Sequence, residues 1–269
     1  GLLGWGWSLD GLSAIKRCAA SVVRDDYVAG IQAGDNYRYC LDDQRLVEIG
    51  NGEFRTERES FLHIQKKNNY WLITNAKGTT SRYGYNVDSY QSDDKSQPFI
   101  WYLDEQKDVF GNSWSVTYSK NSVSGTHYPE KIDYTENPRV SAKHQIIFHY
   151  ENREDISVKM MAGRKIKVDK RLVQIAVKSN GKTVKTYSLD YQKSGQTYHG
   201  KPYSDPARTS RLAKITLCYS DNSKCAKPVE FNWNLQSTQN YLFTLSGSEP
   251  YPLTSGSPKL LLDINGDGI

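Results

Sequence analysis

The sequence lacks the features on which most functional assignments rest. No apolar run is long enough to cross a membrane, and mean hydropathy is −0.69. The opening GLLGWGW has neither a basic region nor a full apolar region, so it does not read as a signal peptide. Its first residue is not Met, so the chain reads as trimmed at the front. Histidine is scarce: His63, His127, His144, His149 and His199 form no His-Glu-x-x-His or His-x-His pair. There is no Gly-x-Ser-x-Gly elbow, no phosphate loop and no Gly-x-Gly-x-x-Gly fingerprint. Four cysteines occur without a Cys-x-x-Cys, which argues against a zinc ribbon or a thioredoxin-like site.

Charge of one sign is also in short supply. The net charge is +5, with basic and acidic residues interspersed. The densest basic stretch, GRKIKVDKR (163–171), reads as a solvated strand face rather than a nucleic-acid footprint. The adjacent acids Asp25/Asp26, Asp42/Asp43 and Asp93/Asp94 would point to opposite faces of a strand and could not converge on a glycosidic bond. An enzyme would need a deep cleft holding perturbed acids, with His127 and Glu130 the first suspects. The expectation is that the chain is not an enzyme.

What is abundant is aromatic and β-forming. The 269 residues include 19 Tyr, 6 Trp and 7 Phe, enough for a sizeable core. Rings at alternating positions fill a sheet's core face more often than they stack on sugars. Helical periodicity is nearly absent. SWSVTYS (113–119), QIIFHYE (145–151), RLVQIAVKS (171–179), TVKTYSLDY (183–191), RLAKITLCYS (211–220) and VEFNWNL (229–235) all alternate large and polar residues. Turn signals separate them, and SNGK (179–182) predicts a type I′ hairpin. DSYQSDDKSQP (88–98) and SGQTYHGKPYSDPARTS (194–210) read as loops. Successive hairpins opening on Arg-Leu-x-x-Ile suggest an extendable strip of antiparallel sheet rather than a closed sandwich.

The cysteines fall into two local pairs. Cys218 and Cys225 flank a polar loop between strand-like runs, where neighbouring strands would bring the sulfurs together. The expected disulfides are Cys18–Cys40 and Cys218–Cys225, implying export; the alternative is four reduced, buried thiols. Near the end, LSGSEPYPLTSGSP reads as a linker and places a domain boundary near residue 246. LLLDINGDGI then gives Asp263, Asn265 and Asp267 the spacing of the first three ligands of a calcium loop, with Gly268 at the turn and the Ile269 carbonyl at position seven. No Glu follows at position twelve, and KLLL reads as a strand, so an EF-hand is not expected. The set is incomplete, so weak or no Ca2+ binding is expected of the chain as it stands. A plain polar turn is the alternative.

Several stretches together resemble one family. GLLGWGWSLDGLSAIKRC (1–18) resembles the opening signature of the SpvB-type N-terminal region. That region is shared by the virulence-plasmid B protein, the B component of insecticidal Tc toxins and many RHS (YD-repeat) proteins. YRYCLDDQRLVEIG (37–50), FRTERESFLHI (54–64), the Asp-x-x-Gly-Asn unit in DVFGNSWSVTY (108–118) and YPEKIDYTEN (128–137) continue the match in order. The last ten residues look like the start of an FG-GAP/VCBS repeat of a β-propeller.

The resemblance implies an all-β fold, an antiparallel, hairpin-rich RHS-like strip forming part of a β-shell wall. Residues 1–245 would be the SpvB-like domain, 246–258 a linker and 259–269 a truncated first propeller repeat. It implies a non-catalytic scaffold in a secreted or cell-surface bacterial toxin, enclosing or presenting a C-terminal effector. The partners would be the rest of the parent chain, with its propeller and RHS shell, a toxin C component and a pore-forming A component. Neither nucleic acid nor a membrane span is implied. The competing reading is a surface adhesin or a carbohydrate- or protein-binding β module.

Overall fold

Alternation of large and polar residues becomes strand after strand. The computed structural model describes residues 1–31, 38–93, 96–121, 125–193, 197–198, 201–202, 208–220 and 224–233. β1 (Ala14–Arg17) is followed by a one-turn helix, α1 (Val22–Asp25), and then by β2 (Tyr39–Leu41), β3 (Gln44–Gly50), β4 (Glu53–Thr56), β5 (His63–Lys67), β6 (Tyr70–Thr74) and β7 (Thr80–Tyr83). From β2 to β7 each strand pairs antiparallel with the next. β8 (Tyr90–Ser92) and β9 (Pro98–Lys107) follow. β9 pairs with β7 along one edge and with β1 along the other, and β1 pairs with β2. Eight strands, β1 to β7 with β9, thereby close into a barrel.

An eight-stranded barrel has an interior that side chains can just fill. Each strand supplies a buried residue to one cluster: Ile15, Tyr39, Leu46, Phe54, Ile64, Trp71, Tyr83 and Trp101. The four rings of Tyr39, Phe54, Trp71 and Trp101 meet edge to face, with Tyr39 and Trp71 centroids 4.8 Å apart and Trp71 and Trp101 5.8 Å apart. Lys66 closes the packing, its ammonium donating to the Tyr39 hydroxyl at 2.8 Å. Closure of the first half into a barrel departs from the open strip that the hairpin pattern predicts. The cause is β9, whose ten residues take β8 and β7 on one edge and β1 and β10 on the other.

The strip begins at that branch. β10 (Ser113–Lys120), β11 (His127–Glu136), β12 (His144–Met161), β13 (Arg164–Ser179), β14 (Lys182–Tyr191) and, after the short pair β15 (Thr197–Tyr198) and β16 (Lys201–Pro202), β17 (Leu212–Tyr219) form a continuous antiparallel run. The outer edge of β17 is paired with two short segments, β18 (Lys224–Cys225) and β19 (Val229–Glu230). Short edge strands of this kind limit unwanted sheet extension. The β13–β14 turn has Asn180 and Gly181 at φ 47° and 77°, as a two-residue type I′ loop requires. Two expected loops contain strands: β8 lies within residues 88–98, and β15 and β16 lie within 194–210.

β12 and β13 are 18 and 16 residues long, but β11 pairs only with residues 144–147 and β14 only with 174–179. Beyond the second core, which takes in Phe148 and Leu172, β12 and β13 pair with each other as a two-stranded arm. Tyr128 of β11, 1% exposed, ties the arm to β11. Its hydroxyl donates to Asp169 at 2.7 Å and accepts the amides of Asp169 and Lys170. Burial, and then Asp169, push that hydroxyl up to about 12. Thr126 donates to the Lys167 carbonyl and Arg164 to that of Ser92, laying the arm beside β8.

The second core lies on one face of the strip, around Phe148, Leu172, Leu189, Tyr191 and Leu212. The first nine residues are strapped across it. Leu3 and Leu9 pack on the cluster, the Leu172 amide donates to the Leu2 carbonyl, and the Trp5 amide donates to that of Ser210. Gly4 explains part of the glycine-rich opening: it sits at φ 85°, and a Cβ there would lie 2.2 Å from the Ser210 carbonyl oxygen. Gly1–Asn232 form one compact unit. The boundary expected near 246, the linker 246–258 and the segment 259–269 all lie outside the described residues.

Candidate functional site

The calcium-loop residues Asp263, Asn265, Asp267 and Ile269 lie outside the described residues. The cysteines do not. Cys18 is bonded to Cys40, and Cys218 to Cys225, its partner across β17 and β18. The first bond ties the two ends of the β1–β2 connection. Inside that connection Asp25 accepts the Ser21 amide and the guanidinium groups of Arg38 and Arg45. Arg45 foremost, then the Ser21 amide and Arg38, hold its carboxyl far below the usual carboxylate range.

Of the other acidic pairs, Asp94 lies outside the described residues and the Asp43 side chain is exposed. Asp42 accepts the Ala14 amide, Asp43 pairs with Lys16, and Asp93 lies 4.0 Å from Arg17 in a buried pair. Asp104, fully buried, accepts from Arg82, from the amides of Tyr85 and Asn86 and from the Ser89 hydroxyl. Such a carboxylate fixes the chain around it. His127 is 6% exposed, with its ring 5.5 Å from that of Tyr102. Burial, and then the charge of Lys120, push its imidazole down to about 4, against the pull of Asp88 and the carbonyls of Gly125 and Tyr90. Glu130 is exposed on β11. The structure thus places the two suspects in different settings, one buried and one exposed.

A dense polar junction lies at the foot of the arm. Arg153 forks onto Asp155 at 2.9 and 2.8 Å and donates to the Gly1 carbonyl at 2.9 Å. Asp155 also accepts the Ser210 amide and hydroxyl at 2.6 and 2.5 Å. Burial pushes its carboxyl up, but Arg153 and Ser210 outweigh that and hold it down at about 2. Arg171 forks onto Glu151, donates to the Ser210 hydroxyl, and lies 4.4 Å over the Tyr191 ring. Arm, opening segment and the 208–210 stretch are therefore locked together. Beside the opening segment lies an apolar slot of about 450 Å³, walled by Leu9, Leu12, Ile132, Ile146, Phe148 and Ile175.

A barrel branching at one strand into a curled antiparallel strip, with the opening residues strapped over the strip, is a specific arrangement. The structure is similar overall to the N-terminal domain of the effector protein SpvB from Salmonella typhimurium strain LT2, with a TM-score of 0.63 at 15% identity over 82% of this chain and 90% of that one. The chain shares the SpvB fold. It also matches the TcdB2–TccC3–Cdc42 crystal structure, with a TM-score of 0.65 at 13% identity over 86% of this chain. The Photorhabdus luminescens Tc holotoxin pore gives 0.63 at 13% identity over 87%. In both of these the match spans only 14% of the larger chain. No family model and no curated protein sequence matches.

In this SpvB-like fold the motifs quoted from the sequence acquire physical roles. Tyr39 and Cys40 put a barrel ring next to a disulfide. The Asp-x-x-Gly-Asn unit is the β9–β10 turn: Asp108 accepts the amides of Phe110 and Asn112 and the Asn112 carboxamide. Asn75 makes the same turn between β6 and β7, accepting the amides of Lys77 and Thr79. Sequence reasoning missed Arg153 and Asp155, two residues apart on β12, and Ser210, which lies 55 residues beyond Asp155. An Arg-x-Asp on a β-strand puts both side chains on one face, and that spacing was the available signal.

Proposed function

We propose that this chain is a non-catalytic scaffold unit of a larger toxin-type protein, forming part of the wall of a β-shell that encloses or presents a C-terminal effector. One observation carries the reading. The same fold accounts for nearly all of one SpvB domain and for a small part of the Tc toxin chains. A unit used in both settings suits a building module. The physics supports it: strands paired in register, Asp104 and Asp155 each held by several scaffold bonds, and an apolar slot left beside the strip for further chain to cover.

On this reading the partners are the rest of the parent chain, including a propeller and an RHS shell, with a toxin C component and a pore-forming A component beyond it. The two disulfides suit an exported or cell-surface protein. Asp263, Asn265, Asp267 and the Ile269 carbonyl would hold Ca2+ once later residues complete the loop.

Reading the coding sequence on from the last codon tests this. Further Asp-x-Asn-Gly-Asp-Gly repeats, then Tyr-Asp repeats and a variable tail, are expected. An early stop codon or an unrelated domain would overturn the shell reading.

A further inference from the structure

The arm ends in a two-residue turn, Ala162 and Gly163, at φ 50° and 77°. Met161 and Arg164 flank it as register partners, so they exchange both backbone bonds, as do Lys159 with Ile166 and Ser157 with Val168. The residues between, Val158 and Met160, therefore aim their amides and carbonyls away from β13. Lys165 and Lys167 do the same on the far edge, and there the Lys167 carbonyl accepts from Thr126, as this alternation requires. The β13 edge is thus turned to the body of the protein. The β12 edge is not: among the described residues, Ser157–Met161 pairs only with β13, and nothing else bonds to its backbone.

An open edge is a template for a further strand, and proteins usually cover or blunt one. Val158 and Met160 share a face and are 47% and 69% exposed, an apolar stripe beside the open backbone groups. Residues 156–168 also carry Lys159, Arg164, Lys165 and Lys167 and no acid. Among the described residues, Lys159, Lys165 and Lys167 make no ion pair. A second copy of the arm would set these cations against their own counterparts. A lipid bilayer would leave the amides and carbonyls of Val158 and Met160 unbonded. An extended acidic segment meets both conditions. Its backbone continues the ladder, its apolar side chains lie on Val158 and Met160, and its carboxylates fall opposite Lys159. Lys165 and Lys167 are one strand further off, about 10 Å away and within a Debye length. We propose, independently of the shell reading, that the outer edge of the arm takes up an extended partner segment in which acidic and apolar residues alternate.

The test is fluorescence anisotropy of a labelled peptide of four Glu-Val repeats, titrated with the 269-residue chain. Saturable binding with a Kd of about 100 μM is expected, weakening as salt is added. Met160→Pro removes an amide that points away from β13, so it is expected to weaken binding by about tenfold and leave the melting temperature unchanged. Lys159→Glu, at an exposed position, is expected to weaken it as much, and serves should Met160→Pro fail to fold. A peptide of four Lys-Val repeats should not bind. Absence of saturable binding by the Glu-Val peptide would overturn the proposal. So would equal binding of the Lys-Val peptide, or binding undiminished in either folded variant. Cosedimentation of the chain with phosphatidylglycerol vesicles in place of peptide binding would assign the arm to a membrane surface instead.

Discussion

His127 shows what a single residue contributes and at what pH. Its ring is packed against Tyr102 at the root of the strip, with its folded pKa pushed down to about 4. An unfolded histidine titrates near 6.5, so as pH falls through that value the unfolded chain takes up a proton that the folded chain refuses. Stability from this residue is therefore full above about pH 6.5 and declines until pH reaches about 4. Urea unfolding of His127→Phe, which keeps a ring beside Tyr102, should lose less stability over that window than the wild type, by about 2 kcal/mol. Equal losses in both proteins would show that His127 is not neutral and buried. This role was not legible beforehand, because a histidine that opens a strand reads the same whether it is exposed or buried. Gly4 was no more legible, because the Ser210 carbonyl that requires a glycine there lies far along the chain.

Among elements, the two disulfides close loops of different size, with sequence separations of 22 and 7. In the chain-entropy account, replacing both Cys18 and Cys40 by Ser should cost about 3 kcal/mol, and replacing both Cys218 and Cys225 about 2 kcal/mol. Urea midpoints without reductant check this, and a wild type indifferent to reductant would contradict both bonds. Period-2 alternation made β10, β14 and β17 legible nearly residue for residue, and Asn-Gly located the β13–β14 turn. Alternation says nothing about where a strand finds its second partner. Barrel closure depends on β9 serving two neighbours along each edge, and that choice is made by packing of Trp71, Trp101 and Tyr39. The arm was hidden for a different reason. Residues 152–171 are largely charged, so the basic stretch read as a strand face without revealing that the strand outruns its neighbours.

For the whole molecule, an open strip face is the consequence that matters. One part is covered by the opening segment, and the slot bounded by Ile132, Ile146 and Ile175 is left open by the described residues. In a free-standing module an apolar slot of this kind is a liability, whereas in a shell wall it is where the next piece of chain packs. Electron cryo-microscopy of the complete parent protein tests that difference most directly. The account predicts Gly1–Asn232 built into the wall of an enclosed cavity, with the slot filled by chain that follows. The same unit tethered outside any enclosure, its slot open to solvent, would contradict it.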